Sequence, residues 1–98
     1  MFLGVVRIDL FIPHSDSLKA RRSVVTSLKE RLKKMNASVA EVGDTELWQR
    51  ATLGLAFVSD SAEYLDQAVQ SARSLVESEY RAQIIAFDHD VSPFELKD

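Results

Sequence analysis

Two stretches of this chain repeat apolar residues at helical spacing, and each is flanked on both sides by runs that alternate every second residue. That order leaves few ways to bury every apolar face at once. In the first helical stretch, Leu18 to Met35, the residues Leu18, Val25, Leu28, Leu32 and Met35 form one stripe. The second follows Asp60-Ser61-Ala62-Glu63, which reads as a capping box with Asp60 in the capping place. It continues through Leu65, Ala68, Val69, Ala72, Leu75 and Val76 to about Tyr80.

The extended runs are Phe2 to Ile12, Ser38 to Val42, Ala51 to Ser59 and Arg81 to Asp88. In the first, the even positions Phe2, Val6, Ile8, Leu10 and Ile12 are apolar apart from Gly4, while the odd ones are mixed, so the even face should meet the core. Pro13, with no N–H for a ladder, ends it, and Ser15, Asp16 and Ser17 offer caps for the helix that follows. Asn36 suits the helix end, and Gly43-Asp44 a turn. The third run sets Leu53, Leu55 and Phe57 on one face and Thr52, Gly54, Ala56 and Val58 on the other. A polar tail broken by Pro93 should leave the sheet after Asp88, with Phe94 and Leu96 docking back.

The order β-α-β-β-α-β implies two right-handed crossovers joined by a hairpin-like pair. The expected fold is therefore α+β: a ferredoxin-like sandwich, a four-stranded antiparallel sheet with two helices on one face. The 98 residues show no repeat, linker or composition break, so residues 1–98 read as a single domain, long enough for one core. Such a fold hosts many unrelated activities, and function has to come from particular residues.

The residues argue against catalysis. Zero Cys excludes disulfides and thiolate chemistry and suits a reducing compartment. Arg7 and Asp9 interrupt the N-terminal apolar stretch, so neither a membrane span nor a signal peptide is expected. No Ser lies in a nucleophile elbow, and three isolated Gly residues make no phosphate loop. Asp88-His89-Asp90 holds metal-ligating types, but a solvated strand end explains it better. The expectation is a non-enzymatic domain with no cofactor, no metal and no small-molecule substrate.

Charge is more informative. The net charge is −3, yet the segment Asp16 to Met35 sets seven cations against two carboxylates, leaving −8 for the remainder. At about 100° per residue, Lys19, Arg22, Lys29 and Lys33 fall within about 80° of one another, along one flank of the apolar stripe. A solvated helix face is one explanation; a surface for a polyanion backbone is the other. Arg21 projects into the apolar stripe itself. It needs a partner, for which Asp9, Glu41 and Glu46 are candidates, or it holds an anion at the helix entrance. Trp48 plugs the open end of the core or stacks on a base, with Arg50 able to lie on the indole. Leu53 to Asp60 sits where an RNA recognition motif carries its octapeptide. Gly54, Ala56, Phe57 and Val58 agree, but Leu55 and Asp60 replace two of its aromatics, which removes most of the stacking.

Leu18-Lys19-Ala20-Arg21-Arg22-Ser23-Val24-Val25, Ser38-Val39-Ala40-Glu41-Val42 and Leu47-Trp48-Gln49-Arg50-Ala51-Thr52-Leu53-Gly54 together resemble the YlxP-like family of bacterial proteins, over nearly the whole chain. The resemblance implies a ferredoxin-like fold and, because relatives are commonly encoded beside translation-initiation and ribosome-maturation genes, a cytoplasmic, RNA-linked setting. It implies no catalytic residues.

The expected function is RNA or ribosomal-subunit association through Lys19, Arg22, Lys29 and Lys33, with Arg21, Trp48 and Arg50 making a more specific contact. From the exposed odd face of the first strand, Leu3, Val5 and Phe11 are expected to form a homo-oligomer interface. The alternative is a self-associating interaction module with no nucleic-acid role.

Overall fold

Alternation along the first strand sets the two faces of the sheet. In the computed structural model, which describes residues 1–43 and 47–96, the elements are β1 (Phe2–Phe11), α1 (Leu18–Lys33), β2 (Ser38–Val42), β3 (Arg50–Ser59), α2 (Ala62–Glu77) and β4 (Gln83–Pro93). The strands form one antiparallel sheet in the order β2-β3-β1-β4, the ferredoxin-like arrangement. The register sets Val6 opposite Leu55 and Ile8 opposite Leu53, so the apolar positions of both central strands share a face. That face meets Val24, Val25, Leu28 and Leu32 of α1 and Leu65, Val69, Ala72 and Val76 of α2, all buried. Burying each large side chain contributes roughly 1.5–3 kcal/mol, which makes this face the main source of stability. α1 packs beside β2 and α2, whereas α2 lies over β4 and β1.

Local chemistry sets the helix limits. The Ser17 hydroxyl accepts from the Ala20 N–H at 3.1 Å and caps α1. α1 ends at Lys33, before the expected Met35, and Asn36 leaves the turn at φ 62°, a conformation that Asn tolerates. In α2 the cap is Ser61, not Asp60: its hydroxyl accepts from Tyr64 N–H at 3.1 Å. α2 also ends at Glu77, ahead of Tyr80.

The largest departure is β4. It extends beyond the expected Asp88 to Pro93, pairing Asp90 with Val5, Ser92 with Leu3 and Pro93 with Phe2. A register shift between Asp9 and Leu10 leaves Ile85 as the extra residue. An edge strand tolerates polar residues and a terminal Pro, which interrupt the alternation that marks the other strands. Phe94 and Leu96 do not dock back; both side chains are exposed. Asp44 of the expected turn, and Glu46, a candidate partner of Arg21, lie outside the described residues.

Candidate nucleic-acid interface

α1 buries Arg21, Val24, Val25, Leu28 and Leu32. On the helical wheel these centre near 200° when Lys19 is set to zero, and Lys19, Arg22, Lys29 and Lys33 lie between about 280° and 360°. Lys19, Arg22 and Lys33 are exposed and Lys29 is half-buried. Arg31, near 120°, reaches toward the end of α2 and bonds Glu79 at 3.0 Å. The basic stripe therefore occupies the other flank of α1, toward the β2 edge.

Five arginines are engaged in ion pairs: Arg7 with Asp9, Arg21 with Glu41, Arg31 and Arg81 with Glu79, and Arg73 with Glu77. None of the four stripe residues makes an ion pair with a described acidic residue. Of the other cations with described positions, only Lys34 and Arg50 share that condition. The field of the stripe is thus not neutralised locally by those acids.

Arg21 belongs elsewhere. Only 4% exposed, it donates from Nη1 and Nη2 to the Glu41 carboxylate at 3.3 and 2.7 Å, and from Nε to the Arg50 carbonyl at 2.9 Å. Glu41 points to the helix face because β2 pairs it with the inward Leu53. The guanidinium is consumed by a structural pair that joins α1, β2 and the start of β3. The anion-holding role expected for Arg21 does not fit this burial.

Trp48 does not plug the core. It is 53% exposed, with Leu47 exposed beside it. Nor does Arg50 lie on the indole; the cation–π contacts among the described residues are Arg73 over Phe87 and Arg81 over Tyr80. Arg50 instead lines a cavity of about 340 Å³ with Arg7, Asp9, Leu47, Ala51 and Thr52. There the Thr52 hydroxyl donates to Asp9 at 2.8 Å and Arg7 Nε donates at 3.2 Å. These bonds, that from Thr52 foremost, hold the Asp9 carboxyl below the usual carboxylate range. A second cavity, of about 360 Å³, is mostly apolar, with Ile12, His14, Val24 and Tyr80 in its wall.

The octapeptide-like positions of β3 are out of phase for stacking. Leu53, Leu55 and Phe57 all point into the core, so the open face of β3 carries Thr52, Gly54, Ala56 and Val58 and no aromatic ring. In β4, Asp88 and Asp90 pair with the odd, outward positions Arg7 and Val5, while His89 pairs with the inward Val6. The pleat separates His89 from the two carboxylates, and no group of three metal-ligating residues occurs among the described residues.

The expected interface residues also divide. Leu3 and Val5 adjoin Val58 and Ala56 on the open face. Phe11 lies six positions beyond Val5 along β1, about 20 Å away, past the Arg7–Asp9 pair. The open-face patch is therefore Leu3, Val5 and Val58, without Phe11.

One polar cluster escaped the sequence. Glu79, 6% exposed, accepts from Arg81 Nη2 at 2.8 Å, Arg81 Nε and backbone N–H at 3.0 Å, and Arg31 Nη2 at 3.0 Å. These donors, the Arg81 side chain first, hold its carboxyl down to about 2. Arg31 lies 48 positions away, so no local pattern could have revealed the cluster.

Comparisons with known proteins agree with this architecture. The uncharacterized protein YlxP of Bacillus subtilis is 30% identical over 77 residues, 78% of this chain and 84% of that one. A de novo designed protein with a ferredoxin fold superposes with a TM-score of 0.52 at 13% identity, covering 100% of this chain and 96% of its own. SnoaB, a cofactor-independent oxygenase from Streptomyces nogalater, reaches only 0.48 at 7% identity, over 96% and 95% of the two chains, and carries no functional inference. No helix among the described residues is long and apolar enough to cross a membrane. Residues 3–89 match the profile of DUF503, described as a protein of unknown function, and the chain belongs to that family.

Proposed function

We propose that this chain is a non-enzymatic cytoplasmic domain that binds structured RNA, or a ribosomal subunit presenting it, through α1. The observation that carries this reading is the separation of its cations into two sets. Five arginines are tied to carboxylates, while Lys19, Arg22, Lys29 and Lys33 share one flank of α1 and none pairs with a described acid. From Lys19 to Lys33 the row extends about 21 Å, which matches a polyanion backbone better than one small anion. The acidic remainder confines contact to this flank.

Co-sedimentation with ribosomal subunits and anisotropy with a labelled RNA hairpin test the proposal. Lys29→Gln with Lys33→Gln removes two charges from the stripe; Gln70→Glu with Ser74→Glu changes the net charge equally on exposed positions of α2. Local binding predicts about a tenfold or greater loss for the first pair and little change for the second. Equal losses, or no binding by the unaltered protein at low salt, would refute it.

A second reading is supported by the open face, where Val58 is 61% exposed beside Leu3 and Val5. Arg7 borders this patch against Asp88 and Asp90, so its rim carries both signs and suits a second copy of the chain. In that reading Val58→Lys yields a monomer where the unaltered protein sediments as a dimer; a monomer in both cases at micromolar concentration removes it.

A further inference from the structure

We infer that the RNA bound by α1 is a duplex interrupted by an unpaired base, and that Trp48 stacks on that base. This rests on the RNA reading above and specifies the ligand. The first support is the position of the indole. Ile12 N–H donates to the Gln49 carbonyl at 2.8 Å, the Gln49 side-chain amide donates to the Pro13 carbonyl at 3.3 Å, and Arg21 Nε donates to the Arg50 carbonyl at 2.9 Å. Gln49 and Arg50 are thereby fixed against the entrance of α1, where Lys19 and Arg22 begin the basic stripe. Trp48 adjoins this fixed pair in sequence and is 53% exposed, so its backbone is held near that end of the stripe and the core does not use its ring.

The second support comes from elimination. The other exposed aromatics are placed differently: Tyr64 lies on α2, Phe94 follows β4, and Tyr80 meets an Arg81 already bound to Glu79. The open face of β3 carries no ring, so base stacking cannot occur there as it does in an RNA recognition motif.

The third support is shape. A straight row of cations about 21 Å long follows the regular backbone of a duplex. A perfect duplex keeps every base within its own stack, and aromatic side chains reach only bases in loops, bulges and ends. A row for the backbone with an indole at its end therefore calls for a helix bordered by an unpaired nucleotide.

The chain has a single Trp, so its fluorescence reports stacking directly. Three end-labelled RNAs serve as probes: a hairpin stem closed by covalent end-linkers, the same stem with a one-nucleotide bulge, and the same stem with a four-nucleotide loop. Anisotropy measures binding, and Trp emission measures stacking. All three should bind, but only the bulged and looped RNAs should quench Trp48 and bind about 5- to 100-fold more tightly. Trp48→Ala should abolish that preference while leaving affinity for the closed stem unchanged, and Trp48→Phe should retain most of it. Binding of all three with equal affinity and unchanged emission overturns the stacking inference and leaves the stripe intact. Failure of all three to bind overturns the RNA reading and this inference together.

Discussion

Removing Glu41 should cost more than removing the Arg21 it pairs with. Arg21 is 4% exposed and Glu41 side-chain exposure is 15%, so the cation is the more deeply buried partner. Glu41→Ala leaves a guanidinium in the interior with only the Arg50 carbonyl as acceptor. An abandoned buried charge costs about 3–5 kcal/mol, and the retained carbonyl bond places this case near 3 kcal/mol. Arg21→Met removes the charge and keeps the bulk. The remaining carboxylate hydrates at the β2 edge, so the loss should be about 1–2 kcal/mol. The double variant should resemble Arg21→Met, giving a coupling of about 3 kcal/mol, the whole of the Glu41→Ala cost. Urea denaturation followed by far-UV circular dichroism measures all three, and a loss near 3 kcal/mol would lower Tm by about 10–20 °C in a domain of this size. Additive effects, or a Glu41→Ala cost below that of Arg21→Met, would refute the reasoning.

The Glu79 cluster predicts an acid limb. Its folded pKa, about 2, lies below the ordinary 4.5, so its stabilisation is complete above about pH 4.5 and is lost as pH falls toward 2. The loss should be at most about 3 kcal/mol, and Glu79→Gln should flatten stability against pH across that interval while lowering it at neutrality. A Glu79→Gln curve parallel to that of the unaltered protein would exclude the role. At Asn36, with φ 62°, Asn36→Gly should be neutral or stabilising and Asn36→Val should cost about 1–2 kcal/mol in the same denaturation assay. Ser61→Ala should cost about 1 kcal/mol and Asp60→Ala a few tenths, because the cap bond comes from Ser61.

The fold was legible wherever one face of an element is buried. Ile8, Leu53 and Leu28 repeat at the spacing their element requires, and the order of elements then leaves one simple topology. Legibility failed at the edge and ends of the sheet. Asp88 to Pro93 are paired only with β1 and, apart from Val91 and the terminal Pro93, are polar, so pattern alone assigned them to a tail. Asp60 and Ser61 can both cap a helix, and only backbone geometry selects between them. The stripe on α1 followed from helical periodicity because its residues are local to one element. Glu41 was one of three candidate partners of Arg21, and choosing it over Asp9 needed the β2–β3 register, which turns Glu41 inward beside Leu53. The exposure of Trp48 was equally hidden, since an indole beside Leu47 in a connection is compatible with plugging the core or standing clear of it.

Salt dependence of binding tests the phosphate-neutralising role of α1 most directly. With Lys19, Arg22, Lys29 and Lys33 each releasing a counterion, log K for an RNA hairpin should fall against log[salt] with a slope of about −3 to −4. Lys29→Gln with Lys33→Gln should reduce its magnitude by about 2, to between −1 and −2. A slope near zero, or one unchanged by the two substitutions, would contradict backbone binding by this helix.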